Sequence, residues 1–196
     1  MQADRRAVSA RLTRRHRRLE ASAAGRRITL QMIVLGIDPG LANTGFGVVE
    51  GAGSRLAALD GGVVETASAL ATELRLAEVH AAIAELIERH RPDAVALEEV
   101  YFGQNARSAF AVGQARGVVM LAAGERGIPC HAYTPQQVKA AVCGSGRAEK
   151  GQVARMVAAL LSLGEVPASD HASDALAVAL CHLNRAPVAR ALEAAL

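Results

Sequence analysis

Three acidic side chains stand where an apolar core would not be expected to hold them. Asp38 closes the run Ile33-Val34-Leu35-Gly36-Ile37, Glu98 closes Ala94-Val95-Ala96-Leu97 with Glu99 beside it, and Asp174 opens an apolar helix in "DHASDALAVAL". A buried strand that runs into a carboxylate meets a desolvation penalty unless the charge finds a cation or donors. In α/β sheets, strand ends are also where ligands bind. Each acid alone has an ordinary explanation. Asp-Pro-Gly makes a turn, Glu98 and Glu99 could be solvated as their strand exits, and acids near a helix start favour its dipole. The combination points to chemistry. His171 and Asp170 precede Asp174 by three and four residues, and both fall within roughly 60° of it on a helix, so spacing does not choose between them. Oxygen and imidazole ligands gathered from distant segments are what Mg²⁺ or Mn²⁺ requires.

The elements that must gather them are legible as patterns. Residues 33–37, 44–50 and 56–65 read as three strands, the last two joined by a Gly-rich turn at 51–53, and together they suggest an antiparallel meander. Residues 69–90 show helical spacing through Leu70, Leu74, Leu76, Val79, Ile83, Leu86 and Ile87, and Arg91-Pro92-Asp93 stops the helix. "AVALEEV" at 94–100 reads as a fourth strand, about 105–125 as a second helix, and "IPCHAY" as a fifth strand. Thr134-Pro135 signals a capped helix start. Two more helices occupy roughly 149–161 and 170–185. The order βββαβαβααα implies a mixed sheet with helices on both faces.

With 196 residues the chain suits a single core-bearing domain. No apolar run approaches the ~20 residues of a membrane span. Cys130, Cys143 and Cys181 lie far apart without metal-ligand spacing, which suggests buried thiols in a reducing, cytoplasmic setting. The formal charge of +3 conceals an asymmetry: residues 1–31 hold nine arginines against Asp4 and Glu20, while the rest carries 13 basic and 17 acidic groups. Bulk charge therefore says nothing about the domain's partners. The leader lacks the apolar segment of a secretory signal. It resembles a transit peptide in composition and could also serve as a basic arm. The preferred expectation is an upstream extension, with Met32 starting a domain over 32–186 and a tail at 187–196.

"GIDPG", "TGFGVVE", "ALEEVYFGQNARSAFAVGQARG", "TPQQVKAAVCGSGRAEKGQV" and "DHASDALAVAL" resemble, in order and spacing, the RuvC family of Holliday-junction resolvases. The resemblance spans Met32 to about Leu183. It implies a ribonuclease-H-like α/β fold: a five-stranded mixed sheet, three antiparallel strands then two parallel ones, flanked by helices. It also implies hydrolysis of phosphodiesters at four-way DNA junctions by paired symmetric nicks, in recombination and repair, with two Mg²⁺ ions per site that Mn²⁺ could replace. The family's ligand positions fall on Asp38, Glu98, Asp174 and, three residues before the last, His171; Asp170 then becomes a capping residue. Tyr101 matches an aromatic that stacks on bases, against the alternative of core packing. Lys139 and Lys150, the only lysines in the chain, match phosphate contacts. Lys150 lies in a Gly-rich loop leading to a helix, a setting that favours phosphate. Arg107 and Arg147 are further phosphate candidates. Gly113 and Gly117 permit close approach of another helix, either within the chain or, as the resemblance implies, across a two-fold homodimer. The same resemblance suggests cooperation with the branch-migration complex of RuvA and RuvB.

Two other readings compete. "GIDPGLANTG" also resembles the phosphate-binding turn of actin-like ATPases and sugar kinases, which need a second such domain and a second Gly-rich loop. A catalytically inert ribonuclease-H-like DNA-binding scaffold is the other, and retention of all four site positions argues against it.

Overall fold

The computed structural model describes residues 31–99 and 106–193, with side chains over 31–99 and 109–185. Three strands open the fold: β1 (Gln31–Asp38), β2 (Asn43–Ala52) and β3 (Arg55–Glu65). Helix α1 (Thr72–His90), β4 (Ala94–Glu98), α2 (Ala106–Gly124) and β5 (Cys130–Tyr133) follow, and α3 (Pro135–Cys143), α4 (Lys150–Leu160) and α5 (Asp170–Glu193) complete it. The strands form one sheet in the order β3-β2-β1-β4-β5. β1 pairs antiparallel with β2, and β2 with β3. β4 lies parallel to both β1 and β5. This is the mixed sheet that the element order implies, in the ribonuclease-H-like arrangement that the family resemblance implies.

Strand alternation divides the core between the two faces. Leu35, Ile37, Val48, Val95 and Leu97 pack against α1 and α2 through Val79, Ile83, Leu86, Ile87, Val119 and Ala122. Val34, Val49 and Ala96 face the other way, onto α3, α4 and α5 through Val138, Val142, Val153, Val157 and Leu180. α5 is buried almost all round from Ala172 to His182, which explains its nearly unbroken small and apolar sequence.

The differences from the sequence reading are local. α1 starts at Thr72, so Leu70 lies outside it and Leu74 is 53% exposed. Arg91 ends that helix in the left-handed region (φ 47°), donating its backbone N–H to the Ile87 carbonyl. The capping predicted at Thr134 is a full reciprocal box: Thr134 Oγ1 accepts from the Gln137 N–H, and Gln137 Oε1 accepts from the Thr134 N–H. β4 ends at Glu98 rather than Val100. α5 continues to Glu193 through Pro187, beyond the expected end at 185, so much of the anticipated tail is helical backbone. The three cysteines are free thiols, but only Cys181 is fully buried; Cys130 and Cys143 are half-buried at element ends. Among the described residues no helix is long and apolar enough to cross a membrane. The basic leader at 1–30 lies outside the described residues.

Candidate active site

The site begins with two neighbouring strand ends. β1 and β4 pair from Val34 opposite Ala94 to Ile37 opposite Leu97, and the next step of that register sets Asp38 beside Glu98. Both then project toward the face that carries α5. That helix can reach them because the sheet beneath it has lost its side chains. Gly45, the partner of Asp38 on β2, lies so close under the helix start that a Cβ there would stand 2.1 Å from the His171 carbonyl oxygen. A Cβ on Gly36 would stand 2.1 Å from the Ala175 carbonyl oxygen. These are close approaches that only glycine permits. The result is direct: His171 Nδ1 and Asp38 Oδ2 share a hydrogen bond of 2.7 Å.

Asp174 and Glu98 complete the cluster electrostatically. Burial pushes the Glu98 carboxyl up from 4.5 to about 7; the charges of Asp38 and Asp174 push the same way, and Lys150 and Lys139 only partly oppose them. Asp174 is also raised, by burial first and against the pull of Lys150. Lys150 Nζ lies 3.1 Å from Asp174 and 3.2 Å from Asp170. Burial lowers the Lys150 pKa, but its hydrogen bonds to those two acids outweigh that and hold it above the usual ammonium value.

Spacing alone left Asp170 and His171 undecided, and docking of α5 separates them. His171 turns inward to Asp38, whereas Asp170 is 77% exposed and pairs with Lys150. Asp170 is the first residue of the helix and an ion-pair partner, in place of the capping role expected for it.

A cleft of about 300 Å³ opens over Asp38, Glu98 and His171, lined also by Pro39, Gly40, Asn43, Glu99 and Val112. Its floor loop is braced: Thr44 Oγ1 donates to the Gly40 carbonyl, and Thr66 Oγ1 donates to the Leu41 carbonyl while accepting from Arg75 Nε. Asn43, Arg75 and Arg116 were not singled out from the sequence. Asn43 and Arg116 lie inside motif stretches, but the part each of the three plays depends on tertiary position: Arg75 borders a second cleft that shares Asn43 and His171, and Arg116 donates to the Glu98 carbonyl. Among the expected DNA contacts, Lys139 is half-buried on α3 within the field of Glu98, and Lys150 starts α4 against the acids. Arg147 is exposed on the loop between those helices, away from the acids' contacts. Tyr101 and the Arg107 side chain lie outside the described residues.

The donor set suits a hard divalent cation: three carboxylates and an imidazole from three elements, with one acid driven to about 7 by burial first and by its neighbours' negative charge second. As the side chains stand, no three His, Cys, Asp or Glu residues among those described close on a single point. Lys150 and His171 are the partners of Asp174 and Asp38 instead. Ion binding therefore calls for side-chain rotation, with Lys150 leaving Asp174.

The sequence model described as Crossover junction endodeoxyribonuclease RuvC matches residues 34–182. A protein of that name from Pelotomaculum thermopropionicum is 50% identical over 151 residues, covering 77% of this chain and 92% of the relative. Another, from Thermomicrobium roseum, is 52% identical over the same length and shares of the two chains. Among solved structures, T. thermophilus RuvC in complex with Holliday junction substrate superposes with a TM-score of 0.78 at 43% identity, covering 81% of this chain and 96% of that one. The yeast mitochondrial Holliday junction resolvase Ydc2, at 15% identity and a TM-score of 0.58, shares the fold. The chain belongs to the RuvC crossover junction endodeoxyribonuclease family.

Proposed function

We propose that this protein is a structure-selective endonuclease that resolves four-way DNA junctions by paired symmetric nicks, with Asp38, Glu98, His171 and Asp174 as its metal ligands. The observation that carries the reading is the approach of these four residues to one another at the strand ends, where burial and the charges of Asp38 and Asp174 raise the Glu98 carboxyl to about 7. The solved junction complex of a relative 43% identical supports the substrate. Two divalent ions, Mg²⁺ or Mn²⁺, would supply acidification of an attacking water and neutralisation of charge on the leaving 3′ oxygen.

The chain's own residues do the rest. Asp38 and Glu98 hold fixed positions because adjacent strands present them. His171 contributes a neutral nitrogen donor, or moves a proton, beside Asp38. Lys150 is held close to Asp174, poised to exchange that carboxylate for an entering phosphate, and Lys139 adds positive charge on the same side. Arg147 and Arg107 extend the phosphate track, and Tyr101 is placed by sequence three residues past Glu98 to stack on bases at an opened junction. Products would carry a 5′ phosphate and a 3′ hydroxyl.

The homodimer belongs to the same proposal. A Cβ on Gly113 or Gly117 would meet no atom within 4 Å among the described residues, so none of these packs over the two glycines on α2. Phe110, Met120 and Leu121 on the same helix are 68%, 44% and 56% exposed. Such an apolar helix face fits a second copy, and two-fold symmetry matches a junction with two equivalent strands to cut. Action in the cytoplasm alongside a RuvA–RuvB complex follows from the family alone.

End-labelled cleavage of a four-way junction and a matching linear duplex, with Mg²⁺, Mn²⁺ or EDTA, tests the reading. Paired metal-dependent nicks confined to the junction are expected. Binding without cutting under either metal would leave an inert scaffold.

A further inference from the structure

The carbonyl of Glu98 has an unusual partner. Arg116, on α2, donates from Nη1 to that oxygen at 2.7 Å. The reason lies in the sheet ladder. Val95 and Glu99 both donate toward β5, to the carbonyls of Pro129 and Tyr133. Alternation along the strand therefore turns Glu98 toward β1. On β1, Ile33 accepts from the Asp93 N–H, so odd-numbered residues there face β4. Extending the register, Glu98 N–H reaches Ile37, and the donor due at the Glu98 carbonyl is the backbone N–H of residue 39. Residue 39 is a proline and has none.

We propose that Arg116 is a positioning residue for the active site: its guanidinium takes the ladder place that proline denies at residue 39, and so fixes the end of β4 from which Glu98 meets Asp38. The peptide unit joining Glu98 to Glu99 is then held at both ends, its oxygen by Arg116 and its N–H by the Tyr133 carbonyl. Without Arg116 the half-buried oxygen would lose its partner at the strand terminus, where no further ladder bond restrains it. The contact of Arg116 is to the backbone oxygen of Glu98, so the action proposed for it runs through the backbone. The inference rests on the reading of Asp38 and Glu98 as metal ligands.

The test compares Arg116→Met, which keeps length and removes the donor, with Arg116→Lys, which keeps a donor, in the full chain. Three quantities are read: turnover and half-activating Mg²⁺ on junctions, junction affinity in EDTA, and hydrogen exchange of the Glu99 amide in metal-free protein. Arg116→Met is expected to lower kcat about 10-fold or more, as loss of supporting contacts at metal sites typically does. It should also raise the Mg²⁺ requirement and speed Glu99 exchange, with junction affinity within about twofold. Arg116→Lys should recover most of each. Adding Pro39→Ala to Arg116→Met restores an N–H at the missing ladder place, and Glu99 protection should return. Equal behaviour of the Met and Lys variants would overturn the proposal, as would affinity falling in step with turnover or no return with Pro39→Ala. A wild-type protein that does not cut junctions would instead sink the nuclease reading, while the exchange data still judge the ladder contact.

Discussion

Asp38 Oδ2 and His171 Nδ1 lie 2.7 Å apart across 133 residues of chain, one at the end of the first strand and the other in the first turn of the last helix. The pair ties the two ends of the fold together at the proposed metal site. Asp38→Asn keeps the shape and a hydrogen-bonding oxygen but removes the charge. Supporting contacts around metal sites are typically worth about 10–100-fold in activity or metal affinity, and loss of a ligand should exceed that range. Cleavage is expected to fall below detection while junction affinity in EDTA stays near wild type. Loss of affinity as well would assign Asp38 a structural part and favour a scaffold over a nuclease.

Gly45 tests how that contact is built. Its missing side chain lets α5 lie against β2, and a Cβ would sit 2.1 Å from the His171 backbone oxygen. Backbone cannot yield as a flexible side chain can, so Gly45→Ala should push the helix start outward. Destabilisation on the order of 1–3 kcal/mol is expected from such overpacking, with a disproportionate loss of Mg²⁺-dependent cleavage. Gly61→Ala is the comparison: its nearest atom would be 3.6 Å away, an ordinary contact. Thermal melting and cleavage measured together would show both variants, and similar behaviour of the two would refute the role given to Gly45.

The element order and the acids at β1, β4 and α5 were readable because alternation, apolar runs and caps are local signals, whereas the arrangement of the five strands was implied only by the family resemblance. The choice of His171 over Asp170 was not readable from spacing and came only with the family resemblance. Both sit on one side of a helix, and only the docking of α5 on Gly36 and Gly45 decides which one turns inward. Leu74 fits the helical stripe yet is exposed, since α1 starts only at Thr72 and its first turn overhangs the core. Arg116 lies within a stretch that carries the resemblance, yet its part could not be read there, for a different reason. Its importance comes from a proline 77 positions earlier in the chain, brought alongside only by strand pairing.

Glu98 gives the protein a pH dependence with a definite sign. Its carboxyl rises from 4.5 in the unfolded chain to about 7 in the fold, so the folded state holds the proton more tightly. The stabilisation from this group is complete below 4.5, is lost as pH climbs, and is gone above about 7. Asp174, shifted in the same direction, adds to the trend. Metal-free protein should therefore melt lower at pH 8 than at pH 5 through these groups, and Glu98→Gln should flatten the slope and raise the melting temperature at pH 8. Because a cation must displace the same proton, half-activating Mg²⁺ for the wild type should fall by up to about tenfold per pH unit below 7 and level off above it. Melting curves of both proteins across that range check the sign; a wild-type curve no steeper than that of the variant would contradict it.

The exposed face of α2 yields the remaining prediction. Phe110 is 68% exposed, and Gly113, Gly117, Met120 and Leu121 follow it at helical spacing, with nothing among the described residues within 4 Å of a Cβ on either glycine. If a second copy covers this face, a charge in its middle removes the apolar burial and leaves an unpaired ion in the interface. Phe110→Asp should then sediment as a monomer with its melting temperature little changed, since the side chain contributes little to the chain's own core. The consequence for cleavage is specific. A monomer presents one active site, so the two nicks of a junction should become independent events, and singly nicked junctions should accumulate before linear products appear. Time courses on a supercoiled cruciform plasmid separate the outcomes, because coupled cutting gives linear DNA directly and uncoupled cutting gives nicked circles first. A Phe110→Asp protein that remains dimeric and still linearises the plasmid in one encounter would place the two-fold interface elsewhere than α2.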